Sequence, residues 1–377
     1  MYRPKIFFLL LTALSLLAGC SSGNARFSAT DGDTLHLDYA ENLEIVKYKD
    51  FTIATIRNPW DTTEVLNRYI LVADTAEMPT SLPEGTVVRT PLNRGVVYSS
   101  VHIGLLDEIG AGDMVKGVCD SKYIVVPGFA EKITSGEIVD CGIGTSPSIE
   151  KIISVNPDAI MLSPFENSGN YGKVGQLGVP IIECADYMEQ HPLGRAEWMK
   201  FYGLLVGHEQ EADELFNQVE HDYNLLKATV DSCSTRPKVL IDRLYGQSWY
   251  VPGNHSTMAT FIRDAGGENP FDIHEANGSV PLAAEVVLHE AADADVWLIR
   301  YSQASDMTMS QLAADNTIYT QFKAFKDNNV YGCNTTSSLY YARVPFHPSL
   351  LLHDIITAVH PEVTDGIEEN TYFKKLK

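Results

Sequence analysis

Aromatic and arginine side chains gather in a few short stretches of this chain. Tyr245, Trp249 and Tyr250 fall close together, Arg300 precedes Tyr301, and Arg343 lies between Tyr340 and His347. Aromatic faces make flat apolar walls with polar edges. Guanidinium groups make planar, bidentate contacts to carboxylates or catecholates. Together they suit capture of a large, partly aromatic ligand better than they suit bond chemistry. The motifs of bond chemistry are missing. There is no Gly-x-Ser-x-Gly elbow. His289-Glu290 is followed by Asp293 where a zinc hydrolase needs a second histidine. Gly110-Ala-Gly112 lacks the third glycine of a dinucleotide loop. An exported hydrolytic enzyme is therefore the rival class, and it carries no local signature. A bare metal ion needs three or four converging ligands, whereas His102, His191, His274 and His347 stand singly in loops or beside prolines. No cofactor is expected. Were the ligand haem, Tyr98, His102 and His274 are the candidate axial groups.

Two glutamates share a spacing. Glu150 is followed eight residues later by Asp158-Ala159 and an apolar run, and Glu285 eight residues later by Asp293-Ala294 and another. Each glutamate rides on a helix that leads into a strand, as expected of two similarly built lobes.

The N-terminus reads as an address. Arg3 and Lys5 precede an apolar run from Ile6 to Leu17 that is short for a membrane span. Leu17-Ala18-Gly19-Cys20 then matches a lipobox, making Cys20 the expected lipidation site and a lipid anchor the expected tether to a bacterial membrane, on its periplasmic side. The net charge of −21 repels nucleic acid. Five cysteines remain beyond Cys20 (Cys119, Cys141, Cys184, Cys233 and Cys333) without a CxxC or a Cys/His cluster, so a structural zinc site is not expected.

These groups need a scaffold. Residues 1–20 read as signal, 21–40 as tether and 41–92 as a β-rich extension. After Pro91, short apolar strands alternate with helices, which argues for largely parallel sheets covered by helices. The first lobe spans 93–193, a helical segment 194–233, and a second α/β lobe 234–377. Within the helical segment, 209–231 lacks Gly and Pro and repeats apolar residues at three and four. As one helix it would span ~34 Å, enough to bridge two lobes. The expected fold is thus α/β, two lobes with central parallel sheets joined by a long connecting α-helix. Ligands of open α/β sheets bind beyond the carboxyl ends of the strands. That rule selects Tyr98, Ser99, Ser100, His102, Tyr123, Phe165 and Tyr187 in the first lobe. In the second it selects Tyr245, Trp249, Tyr250, His274, Arg300, Tyr301 and Arg343.

Several runs match a known pattern in order and spacing. Arg94-Gly-Val-Val-Tyr-Ser-Ser-Val-His-Ile-Gly-Leu-Leu-Asp-Glu-Ile-Gly-Ala-Gly-Asp-Met-Val-Lys-Gly-Val, Ser148-Ile-Glu-Lys-Ile-Ile-Ser-Val-Asn-Pro-Asp-Ala-Ile, Gly175-Gln-Leu-Gly-Val-Pro-Ile and Leu204-Leu-Val-Gly-His-Glu-Gln-Glu-Ala resemble the helical-backbone periplasmic binding proteins of ferric-siderophore, cobalamin and haem ABC importers. The resemblance covers 94 to about 360. It implies a ligand held between the lobes, an inner-membrane ABC permease as partner, and a monomer. It further implies that Glu150 and Glu285 dock on permease arginines. Glu285, in Pro281-Leu-Ala-Ala-Glu-Val-Val, matches more loosely. A ferric siderophore is the expected cargo, with cobalamin and haem as alternatives. The stretch 41–92 lies outside the pattern.

Overall fold

A computed structural model describes residues 32–61, 63–166, 169–363 and 370–377. Cys20 and the signal lie outside the described residues. Both expected lobes are present. The first holds a parallel sheet in the order Ile181–Glu183, Ala159–Leu162, Gly95–Val97, Val115–Val118, Val139–Asp140. Gly95–Val97 and Ala159–Leu162 are buried at every position, because helices cover both faces and an apolar run is the only sequence that suits such a strand. The chain winds outward in both directions from Gly95–Val97, so the switch point lies between it and Ala159–Leu162.

The second lobe repeats the plan with Val239–Ile241, Val296–Tyr301 and Val330–Asn334 in parallel, and Lys374–Lys375 antiparallel at the edge. A separate antiparallel sheet joins Leu244–Tyr245, Ser248–Pro252 and Ser279–Leu282. Pro147 pairs in a short strand, and the helix starts at Ile149 behind the Ser148 cap. Ser279–Leu282 is a strand, and the helix that carries Glu285 begins at Ala284.

Three helices join the lobes: Pro192–Glu197, Met199–Val206 and Glu209–Thr229. The last has 21 residues, about 32 Å. It buries Ala212, Phe216, Val219 and Tyr223 on one stripe, against Met199–Val206 and the final helix Pro348–Val359. It is not a bare strut. One apolar cluster runs continuously from the N-terminal sheet through the inner face of the first lobe and these helices to Val239, Ile241, Val296 and Leu298 of the second. Each lobe keeps its own outer cluster, around Cys119, Cys141 and Ile160 in one and around Trp249, Trp297 and Phe322 in the other.

The β-rich extension is a five-stranded sheet in chain order: Asp33–Leu35, Leu43–Lys47, Thr52–Arg57, Val65–Ala73 and Thr86–Thr90, with only the last pair parallel. It starts inside the stretch read as tether. Two buried carboxylates hold it down. Glu197 accepts the backbone N–H groups of Asp38, Tyr39 and Ala40, and Glu189 those of Glu41 and Asn42. Among the described residues, no helix is long and apolar enough to cross a membrane.

Candidate ligand cleft between the lobes

The inter-lobe cleft encloses about 490 Å³, within the range of small-molecule sites. The first lobe contributes Val101 and Tyr187, beside Arg195 of the joining helix Pro192–Glu197. The second contributes the start of helix Thr257–Asp264, the Asn277–Ser279 turn, Arg300, Tyr340 and Tyr341. Arginines therefore face the space from both sides.

Each arginine is oriented by an aspartate beyond a strand end. Helix Pro192–Glu197 begins with Pro192, and the His191 ring accepts the Leu193 N–H. The turn that follows presents Arg195, whose Nε donates to Asp186 Oδ2 at 3.0 Å. Asp186 Oδ1 accepts from the Tyr202 hydroxyl at 2.8 Å and lies 2.8 Å from His102 Nε2. Asp186 and His102 are both buried. Burial works against their charges. For His102, the neighbouring Cys184 and Asp186 outweigh it and raise the pKa. For Asp186, His102 and Arg195 outweigh it and lower the pKa. Across the cleft, Arg300 Nε donates to Asp242 Oδ1 at 3.0 Å and its Nη2 contacts Asp242 Oδ2. The Arg300 guanidinium carbon sits 5.7 Å from the centre of the Tyr340 ring. Burial alone would lower the Arg300 pKa, but Tyr340 and Asp242 raise it well above normal. These bonds engage Arg195 through Nε and Arg300 through one edge.

The sequence-selected residues divide accordingly. Tyr187 and Arg300 line the cleft, and the Tyr187 hydroxyl donates to the Pro164 carbonyl at 2.5 Å. Ser99 caps helix Ser100–Glu108, and Ser100 Oγ accepts the Val125 N–H. Tyr98 packs against the outer cluster of the first lobe. Tyr123, Phe165, Tyr245 and Tyr250 are exposed but do not line this cleft. His102 is held in the interior by Asp186 and does not line this cleft. Trp249 is fully buried, stacks on Trp297 at 5.8 Å and donates to the Ile241 carbonyl. Strand alternation turns it inward. Tyr301 is buried, and its hydroxyl accepts the Met307 N–H. His274 Nε2 lies 3.2 Å from Glu290 Oε2 and does not line the cleft. Arg343 lines a neighbouring inter-lobe cavity of about 340 Å³ with Phe346 and the Val125–Pro127 loop, where His347 Nε2 and Glu108 Oε2 approach to 2.7 Å. Strand-end selection missed Arg195, which sits on a helix. Glu150 and Glu285 are both exposed in the first turn of a helix that precedes a central strand. The Ser148 hydroxyl donates to Glu150, whose pKa is lowered by hydrogen bonds from its own backbone and Ser148.

The family model for periplasmic binding proteins matches residues 96–336. The chain belongs to the periplasmic binding protein family. Its members are solute-binding proteins, and this chain carries their mixed α/β fold of two lobes. An uncharacterized lipoprotein of Methanocaldococcus jannaschii is 30% identical over 76% of this chain and 70% of its own length. The petrobactin-binding protein of Bacillus subtilis is 21% identical over 76% of this chain and 86% of its own. Among solved structures, the periplasmic heme-binding protein of Roseiflexus sp. RS-1 aligns with a TM-score of 0.56 at 20% identity, covering 72% of this chain and 99% of that one. The N-terminal sheet lies outside the family match.

Proposed function

We propose that this periplasmic binding protein is a lipid-anchored receptor that captures a ferric siderophore between its lobes and delivers it to an ABC permease, without catalysing a reaction. The observation that carries the reading is the pair Arg195 and Arg300, the first on the joining helix Pro192–Glu197 and the second in the second lobe, each steadied by an aspartate and flanked by Tyr187, Tyr340 and Tyr341. Fixed guanidinium edges recognise planar anionic oxygen pairs, and tyrosine walls suit catecholate rings. The likeness to a petrobactin-binding protein supports the same class. Haem is the second reading. Exposed Tyr341 favours it, since a phenol can ligate haem iron. His102 and His274 do not.

The test is a fluorescence titration of the protein with ferric catecholate siderophores, haem and cobalamin. A ferric catecholate is expected to bind most tightly. Arg195→Lys and Arg300→Lys should each weaken it roughly tenfold to 150-fold, the worth of a charged hydrogen bond at about 1.5–3 kcal/mol. Equal affinity in both variants removes the arginine-based reading. A Tyr341-dependent Soret shift instead selects haem. Delivery has its own test. Exposed Glu150 and Glu285 are proposed to pair with permease arginines. Glu150→Arg with Glu285→Arg should leave affinity unchanged and abolish uptake; normal uptake rejects that role.

A further inference from the structure

We propose that Cys233, His360 and Glu362 form a zinc site that staples the exit of the connecting helix to the second lobe. The three residues come from two helix ends. Cys233 follows helix Glu209–Thr229, and its N–H donates to the Val230 carbonyl. His360 caps helix Pro348–Val359 with its N–H on Ile356, and Glu362 follows in a 3-10 turn closed by Val363 on His360. Sγ, a ring nitrogen and a carboxylate oxygen all lie within 4.8 Å of one another. The backbone positions are thus fixed before any ion arrives.

The imidazole explains why a cation belongs there. His360 is 1% exposed. Its Nε2 lies 3.2 Å from the Gly266 carbonyl oxygen, which can only accept, so Nε2 carries the proton. In the neutral ring the Nδ1 lone pair then points at Glu362 Oε1, 3.2 Å away. Two acceptors then face each other, and either a second ring proton or a metal ion between them relieves the repulsion; the Cys233 thiol within 4.8 Å of both points to the metal. The Gly266 carbonyl acts as the outer partner that fixes a ligating histidine in the required tautomer. With metal–nitrogen and metal–oxygen bonds of about 2.0–2.1 Å, a tetrahedral edge is about 3.3 Å, which matches the observed separation. The thiol completes a sulfur, nitrogen and oxygen set suited to zinc. On binding, the Zn–S bond replaces the S–H bond and the proton goes to solvent. A fourth position remains for water.

Motif reading did not find this site because its ligands are separated by the whole second lobe. Its placement assigns it a structural purpose. It ties the connecting helix to the final helix on the side where Gly266 ends helix Thr257–Asp264.

The experiment uses the full chain stripped with chelator, then loaded with zinc or with cobalt as a coloured probe. The expected result is one zinc per protein, a raised Tm, and a thiolate-to-cobalt charge-transfer band in the near ultraviolet. Cys233→Ser should abolish the band. Glu362→Gln, at an exposed residue that folding tolerates, should weaken zinc binding by about 10–100-fold or more, since loss of even an outer partner costs that much. Zinc binding that both variants retain, or no binding by a folded chain, leaves His360 and Glu362 as a plain ion pair and overturns the proposal.

Discussion

Asp186 divides its two carboxylate oxygens between an interior histidine and a cleft arginine. Removing that charge strands both cations. Asp186→Asn should cost about 3–5 kcal/mol, as expected when one partner of a buried pair is lost, and this is read from the denaturant midpoint. The same group sets a pH profile. The folded pKa of Asp186 lies below its unfolded value, so its contribution is full above the ordinary carboxylate range and is lost as pH falls through the depressed value. The folded pKa of His102 is raised, so its contribution is full below the ordinary imidazole value and is lost as pH rises toward the raised one. The pair should therefore stabilise most between about pH 4 and pH 6.5, and His102→Asn should flatten the alkaline limb of a Tm-versus-pH curve. Residue type alone could not separate such interior groups from ligand groups. His102 falls just past a strand, where ligand residues belong, yet helix Ser100–Glu108 turns it inward. The alternation Ser248-Trp249-Tyr250-Val251 already hinted that Trp249 points to the core, but reading the stretch as a loop hid its period of two.

At the scale of elements, helices Met199–Val206 and Glu209–Thr229 cross tightly at Gly203. A Cβ there would lie 2.6 Å from Ala212 Cβ and 2.9 Å from the His208 carbonyl oxygen. Gly203→Ala should therefore destabilise by about 1–3 kcal/mol through overpacking, measured by equilibrium unfolding, whereas Gly278→Ala, with open space around it, should not. Parallel strands were legible because burial on both faces demands apolar runs such as Ala159–Leu162. Edge elements were not. Ser279–Leu282 contains Pro281 and is only half-buried, so nothing in its pattern distinguishes it from the helix that follows. The extension's β character was visible, but its attachment was not. Glu189 and Glu197 accept backbone N–H groups more than a hundred residues away, and such contacts leave no local trace. Glu197→Ala should speed amide hydrogen exchange at Asp38, Tyr39 and Ala40 without reaching the strands of the lobes.

For the whole molecule, the continuous cluster beneath both lobes matters most. The sequence showed two lobes and a helix long enough to join them. It did not show that Phe216 and Tyr223 weld that helix into a layer shared with the extension and the final helix, because periodicity marks a buried stripe without saying what covers it. Further bonds cross between the lobes, from Thr257 Oγ1 to the Glu189 carbonyl and between His347 and Glu108. The lobes should therefore move little on loading, and small-angle scattering should give the same radius of gyration with and without ligand. Such a stiff jaw presents one outline whether empty or full. A transporter that recognises the outline will accept vacant receptors as readily as laden ones. Import should then peak at an intermediate ratio of receptor to permease and decline beyond it, as idle copies crowd the entrance.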